Sequence, residues 1–137
     1  MINVVTVSTK APGGIRSVVQ NMIESGIYTR LDIKHQWIYS HDNFFLSKII
    51  LTVWSAIQIA ITYDGKSENV LHLHTSHRGS IYRKLLLVNV GTFIGYRIVI
   101  HIHGSEFQYE YESRSLIYKF AVERLLGKSN VVVVFNR

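Results

Sequence analysis

The strongest constraint in this 137-residue chain is a hydrophobic period that switches, over and over, between that of a strand and that of a helix. Residues 2–8, INVVTVS, form an almost continuous apolar run, the pattern of a strand buried on both faces. The turn TKAPGG follows, and then Ile15, Val18, Val19, Met22, Ile23 and Ile27 fall on one helical stripe, with Gly26 near its end. Residues 33–39, IKHQWIY, alternate as a strand nearer a sheet edge does. A long helix is predicted over 44–62, a loop over YDGKSEN, a strand over 69–74, a helix over 79–94 stopped by Gly95, and a strand over 97–103. GSEFQYEYE is read as a loop, 114–126 as a helix closed by Gly127, and 130–135 as a fifth strand. Strand and helix alternate throughout, which predicts one α/β domain with a doubly wound, mainly parallel sheet. Such sheets bind ligands beyond the carboxyl ends of their strands. The chain stops directly after its last apolar run, which suggests a continuation.

Composition narrows the function classes. Hydrophobic residues make up 47% and charged residues 18%, so the chain has the means to build a core. It has no cysteine, which removes disulfides and thiolate metal sites and fits a reducing compartment. The net charge of +6 suits anionic lipid or nucleotide phosphates. Without a long Lys/Arg run or a nucleic-acid motif, no nucleic acid is expected as a partner. The N-terminus enters a strand with no basic region ahead of it, so no signal peptide is predicted. Phe44 to Tyr63 is the one candidate membrane span, but Ser47, Lys48, Thr52, Ser55 and Gln58 interrupt it. A buried or membrane-surface helix suits it better.

The unusual residues gather at strand ends. Gly13-Gly14 precede a helix whose first amides, at Ile15 and Arg16, would face an anion; a plain tight turn is the other reading. His72 and His74 share one side of a strand, as do His101 and His103. The inner pair, His72 and His101, fits a packing role, whereas His74 and His103 at the strand ends could hydrogen-bond a sugar hydroxyl or a phosphate oxygen. His72-x-His74-x-x-His77 also has the spacing of metallo-β-lactamase-like hydrolases. Ser76 stands where those enzymes carry an aspartate, and no acidic residue neighbours the cluster. Arg78, Arg83 and Lys84 open the third helix, either as a solvated basic face or as contacts to a phosphate or anionic membrane. Positive charge at a helix start opposes the helix dipole, which favours a ligand-facing role for Arg78. In the aromatic and acidic segment after the fourth strand, Glu106 is nearest the strand end and is the best site candidate.

Taken together, these segments resemble the N-terminal domain of family 4 glycosyltransferases of the bacterial polysaccharide type. The matching pieces are the opening strand with Gly13-Gly14-Ile15, the run Val70-Leu71-His72-Leu73-His74-Thr75-Ser76 with its Arg-Gly-Ser-x-Tyr-Arg-Lys continuation, and Ile98-Val99-Ile100 leading into His101-x-His103-Gly104-Ser105-Glu106-Phe107. The resemblance implies one Rossmann-like half of a GT-B fold, spanning residues 1–137 and holding mainly the acceptor. The donor-binding C-terminal half would be absent, or separately encoded. It further implies retaining, metal-free transfer from a nucleotide sugar to a glycan or lipid-linked acceptor in cell-surface polysaccharide synthesis. The setting would be the cytoplasm or the inner face of its membrane. It places Gly13 and Gly14, with Ile15 and Arg16, at the donor diphosphate and His103 at the transferred sugar. His74, Ser76, Arg78, Ser105 and Glu106 are then the acceptor-side candidates. Activity of such a half alone is not expected. A non-catalytic partner module and a metal-dependent hydrolase are the alternatives.

Overall fold

The computed structural model describes all residues except 10, 11, 41–44, 77, 78, 105 and 135–137, and the side chains of Phe45 and Leu46. The elements run β1 (Ile2–Ser8), α1 (Gly14–Glu24), α2 (Ile27–Arg30), β2 (Ile33–Tyr39), α3 (Phe45–Thr62), β3 (Glu68–Thr75), α4 (Gly79–Ile94), β4 (Arg97–Ile102), α5 (Phe107–Ser113), α6 (Leu116–Gly127) and β5 (Val131–Val134). The five strands form one sheet in the order β2-β1-β3-β4-β5, and every pairing is parallel. The predicted α/β, Rossmann-like doubly wound sheet is therefore present, with β2 at an edge.

Three readings needed revision. The first helix does not run unbroken to Ile27. It stops at Glu24, Gly26 takes a left-handed φ of 68°, and α2 starts afresh. The segment read as the loop GSEFQYEYE contains α5, whose buried Glu110 receives the Arg114 guanidinium at 2.7 Å. Alternating aromatic and acidic residues hid a short helix of about two turns that packs against α6. The fifth strand begins at Val131, because Asn130 is used as a bracket: its side chain accepts from the Ile98 amide at 2.7 Å while its own amide donates to Ile98 O at 2.8 Å.

Strand alternation divides the sheet into two unlike faces. Val5, Val7, Ile38, Leu71, Leu73, Ile98, Ile100 and Ile102 point one way and pack with Ile59, Ile81, Leu87, Val88, Tyr118, Val122 and Leu125 from α3, α4 and α6. At about 25 cal/mol per Å² of apolar surface removed from water, this layer is the main source of stability. Gly91 brings α4 close to the sheet, since a Cβ there would come within 2.5 Å of Leu71 Cδ2. On the opposite face, Tyr28 of α2 stacks on His35 of β2 with ring centroids 3.9 Å apart. The residues facing that side include Thr6, Ser8, His35, Trp37, His72, His74 and His101. Here hydrogen bonds replace apolar packing: Thr6 Oγ1 lies 2.9 Å from His35 Nε2, and Trp37 Nε1 donates to Ser8 Oγ at 2.7 Å.

Candidate functional site

The parallel register brings the histidines together. His74 of β3 is paired with His101 of β4, so the two rings lie side by side on one face, with His72 one pleat behind and His103 one pleat ahead. Ring centroids are 4.3 Å apart for His72 and His74, 4.8 Å for His74 and His101, and 4.3 Å for His101 and His103. His74 Nδ1 and His103 Nε2 are 2.8 Å apart, one donating its proton to the other. The His103 amide donates to Thr75 O at 2.7 Å, which holds the residue against β3 just past the end of its own strand.

Burial keeps these rings neutral. It pulls His72 down to about 4, helped by the neighbouring histidines. It pulls His103 down to about 4, helped by His101. His74 falls furthest, through burial first and then the charges of His72, His101, His103 and Lys84. His72 Nε2 and His74 Nε2 are buried without a hydrogen-bond partner. Unmet buried polar atoms of this kind cost about 1–3 kcal/mol each, and such atoms cluster at functional sites.

A small cavity of about 60 Å³ opens beside His74, lined also by Thr9, Ile15, Ser40, Ser76, Ser80, Arg83 and Lys84. The ends of β1 and β3 and the starts of α1 and α4 thus meet at one rim. Of the expected site residues, Ile15, His74 and Ser76 line this cavity, and His103 joins it through His74. Gly13 and Gly14 stand at the start of α1, where Gly13 adopts φ 147°. That angle, which L side chains rarely adopt, explains the glycine at 13. A Cβ at Gly14 would meet nothing within 4 Å, so no packing reason explains the second one. No side chain caps α1, and its first turn has no acidic residue, so its leading amides keep their anion-binding potential. Arg16 is exposed on that same turn. Glu106 is exposed at the N-cap of α5 and does not line the cavity, while Arg78 and Ser105 lie outside the described residues.

The burial of Lys84 is what sequence reasoning missed. Read as part of a solvated basic face or as a phosphate or membrane contact, Lys84 is in fact buried, and its Nζ donates to Ser40 Oγ at 2.8 Å and more weakly to Val7 O at 3.4 Å. Burial, aided by Arg83, lowers its pKa to about 7. The signal was present in the sequence, because Lys84 falls on the helical stripe Ile81, Lys84, Val88, Gly91, all four of which are buried.

His72, His74 and His101 each offer a ring nitrogen, all within 4.8 Å of one another. Tetrahedral zinc needs ligand nitrogens roughly 3.4 Å apart, from Zn–N bonds of about 2.0–2.1 Å. His72 and His101 are also stacked, with ring centroids 5.7 Å apart and 11° between ring planes. The His72-x-His74-x-x-His77 reading rests on His77, which lies outside the described residues, and its hydrolase setting is antiparallel whereas every strand pairing here is parallel.

No known protein family's sequence model matches the chain, and no curated protein is significantly similar to it. The site therefore rests on its own geometry. Chemically, it combines an uncapped helix start for an anion, neutral histidines able to accept or donate, small hydroxyls from Ser76 and Ser80, the Arg83 guanidinium and the buried Lys84 amine.

Proposed function

We propose that this domain is the acceptor side of a family 4-like glycosyltransferase, moving a sugar from a nucleotide-sugar donor to a glycan or lipid-linked acceptor. The observation that carries the reading is the meeting of the Gly13-Gly14 helix start, through Ile15, with His74 and Ser76 in one cavity, while His103 sits 2.8 Å from His74. In this reading the leaving diphosphate is steadied by the amides of Gly14, Ile15 and Arg16 and by the Arg16 side chain. His103 hydrogen-bonds the transferred sugar, where fixed dipoles stabilise charge that develops in the transition state. His74 is a positioning residue that sets the His103 ring through their shared hydrogen bond. Ser76 and Arg83 face the acceptor, and no metal ion or other cofactor is called for. The work would take place in the cytoplasm, with the donor sugar held largely by a second domain, so turnover by this chain alone is not expected.

Titration with nucleoside diphosphates and with inorganic pyrophosphate, followed by amide NMR shifts, tests the reading. Shifts centred on Gly14, Ile15 and Arg16, lost in Gly13→Val, are the expected result. A folded chain whose α1 amides do not respond to any diphosphate at millimolar concentration would overturn it.

A further inference from the structure

The helix α3 is built inside out. Its buried side chains are Thr52, Ser55 and Ile59, with Ala56 packed beside them against the core. The two hydroxyls are satisfied by its own backbone, Thr52 Oγ1 donating to Lys48 O at 2.6 Å and Ser55 Oγ to Leu51 O at 2.7 Å. Over residues 47–62, every exposed side chain is apolar: Ile49, Ile50, Val53, Trp54, Ile57, Ala60 and Ile61. An ordinary surface helix shows the reverse arrangement. The stripe continues onto α4 through Tyr82 and Leu86, and between the helices lies an apolar groove of about 230 Å³ lined by Ile49, Thr52, Val53, Tyr82, Arg83 and Leu86. Contiguous apolar surface on this scale marks an interaction site.

Charge selects the occupant. Neither α3 nor α4 contains an Asp or Glu, while Lys48 and Arg83 lie partly exposed on them. At the far end of α3, the exposed Lys34 and Lys66 lie near the single carboxylate of Asp64, whose pKa is lowered mainly by hydrogen bonds from the Lys66 amide and the Ser67 hydroxyl and less by the two lysine charges, so that end is positive as well. Two copies of the chain meeting through this face would press like charges together. An anionic lipid surface neutralises them while taking the isoleucines and Trp54, as interfacial amphipathic helices do. No described helix is long and apolar enough to cross a membrane. Arg83 fixes the orientation, because it lines both the apolar groove and the cavity beside His74.

We propose that the outer face of α3 and α4 lies on an anionic lipid bilayer, with Arg83 at the level of the lipid phosphates and the histidine-lined cavity opening just above them. The inference does not depend on sugar transfer, since it concerns a surface and is tested without any nucleotide.

Co-sedimentation of the full chain with phosphatidylcholine vesicles, with and without phosphatidylglycerol, is the test. Binding is expected to the anionic vesicles, falling at high salt. Brominated lipid should quench a Trp fluorescence component that disappears in Trp54→Phe. The double variant Ile50→Ser/Ile57→Ser should weaken partition roughly tenfold or more while keeping the native circular dichroism, because both side chains are exposed. Arg83→Gln should reduce the preference for anionic over neutral vesicles by roughly fivefold. A folded chain that binds neither vesicle at low salt overturns the proposal. Equal binding to both vesicles does so too, as does a dimer that Ile50→Ser/Ile57→Ser dissociates while vesicle binding is absent.

Discussion

One residue of offset separates two different materials in β3 and β4. Leu71, Leu73, Ile98 and Ile100 face three helices and are sealed in an apolar layer. Their immediate neighbours His72, His74 and His101 face the other way and form a stack of buried, neutral imidazoles. The backbone is shared, the register is shared, and only the direction of the side chain differs. On the apolar face the free energy lies in area removed from water and in close packing. On the histidine face it lies in polar groups held without water and kept uncharged by burial. The first arrangement stabilises the domain, and the second gathers neutral imidazoles at its rim. Apolar packing and polar groups are thus separated by the pleat of the sheet.

That contrast can be broken by experiment, most forcefully on the apolar side. Leu71→Ala should cost about 2–5 kcal/mol in urea unfolding, because Leu71 is wholly buried and fills the space that Gly91 leaves for it. A loss below about 1 kcal/mol would mean that the two faces are not as different as the packing implies.

The histidine face should show itself through pH. His72 is lowered to about 4 and His74 further still, so between the unfolded value near 6.5 and those folded values the unfolded chain binds more protons. Stability therefore falls as pH drops through that window, by about 1.4 kcal/mol per pH unit for each proton in the difference. His74→Gln should remove up to one proton from this uptake and flatten the acid limb measured by urea unfolding at stepped pH. An unchanged slope would show that His74 is not held neutral.

Lys84 sharpens the comparison, since it carries a titrating group into the apolar side. Its folded pKa is about 7 against an ordinary 10.5, so the unfolded chain binds the extra proton between those values and stability rises with pH across them. Lys84→Met should remove that rise and leave stability at pH 7 within about 1–2 kcal/mol of the parent, as burying an apolar isostere offsets the lost hydrogen bonds. A larger loss would assign real weight to the bonds with Ser40 and Val7. The smallest effect is expected at Ser55→Ala. Its hydroxyl donates mainly to the carbonyl one helical turn back, a group already used by the helix, so the change should stay below about 1 kcal/mol by thermal melting.

Much of this architecture was legible because strand and helix periods are local properties. The runs at 2–8 and 33–39 match β1 and β2 residue for residue, and the GG turn, the histidine ends of two strands and their gathering at one rim follow from parallel alternation. What failed locally were features with weak or mixed periods. The segment holding α5 has no clean apolar stripe, and Gly26 divides a helix whose stripe runs through it. The burial of Lys84 was written in its spacing from Ile81 and Val88 but was masked by the adjacent Arg83, since residues one apart on a helix face different directions.

The amino-acid order by itself determined the alternation of elements, the parallel sheet and the chemistry available at the strand ends, because each depends on a side-chain period or on residue type. Only the tertiary structure decided that His74 meets His103, that Lys84 is enclosed beside Ser40, and that α3 turns Ile49, Ile50, Ile57 and Ile61 outward. Those outcomes depend on strand register and on which helix face finds a partner, and both are settled between segments far apart in the chain.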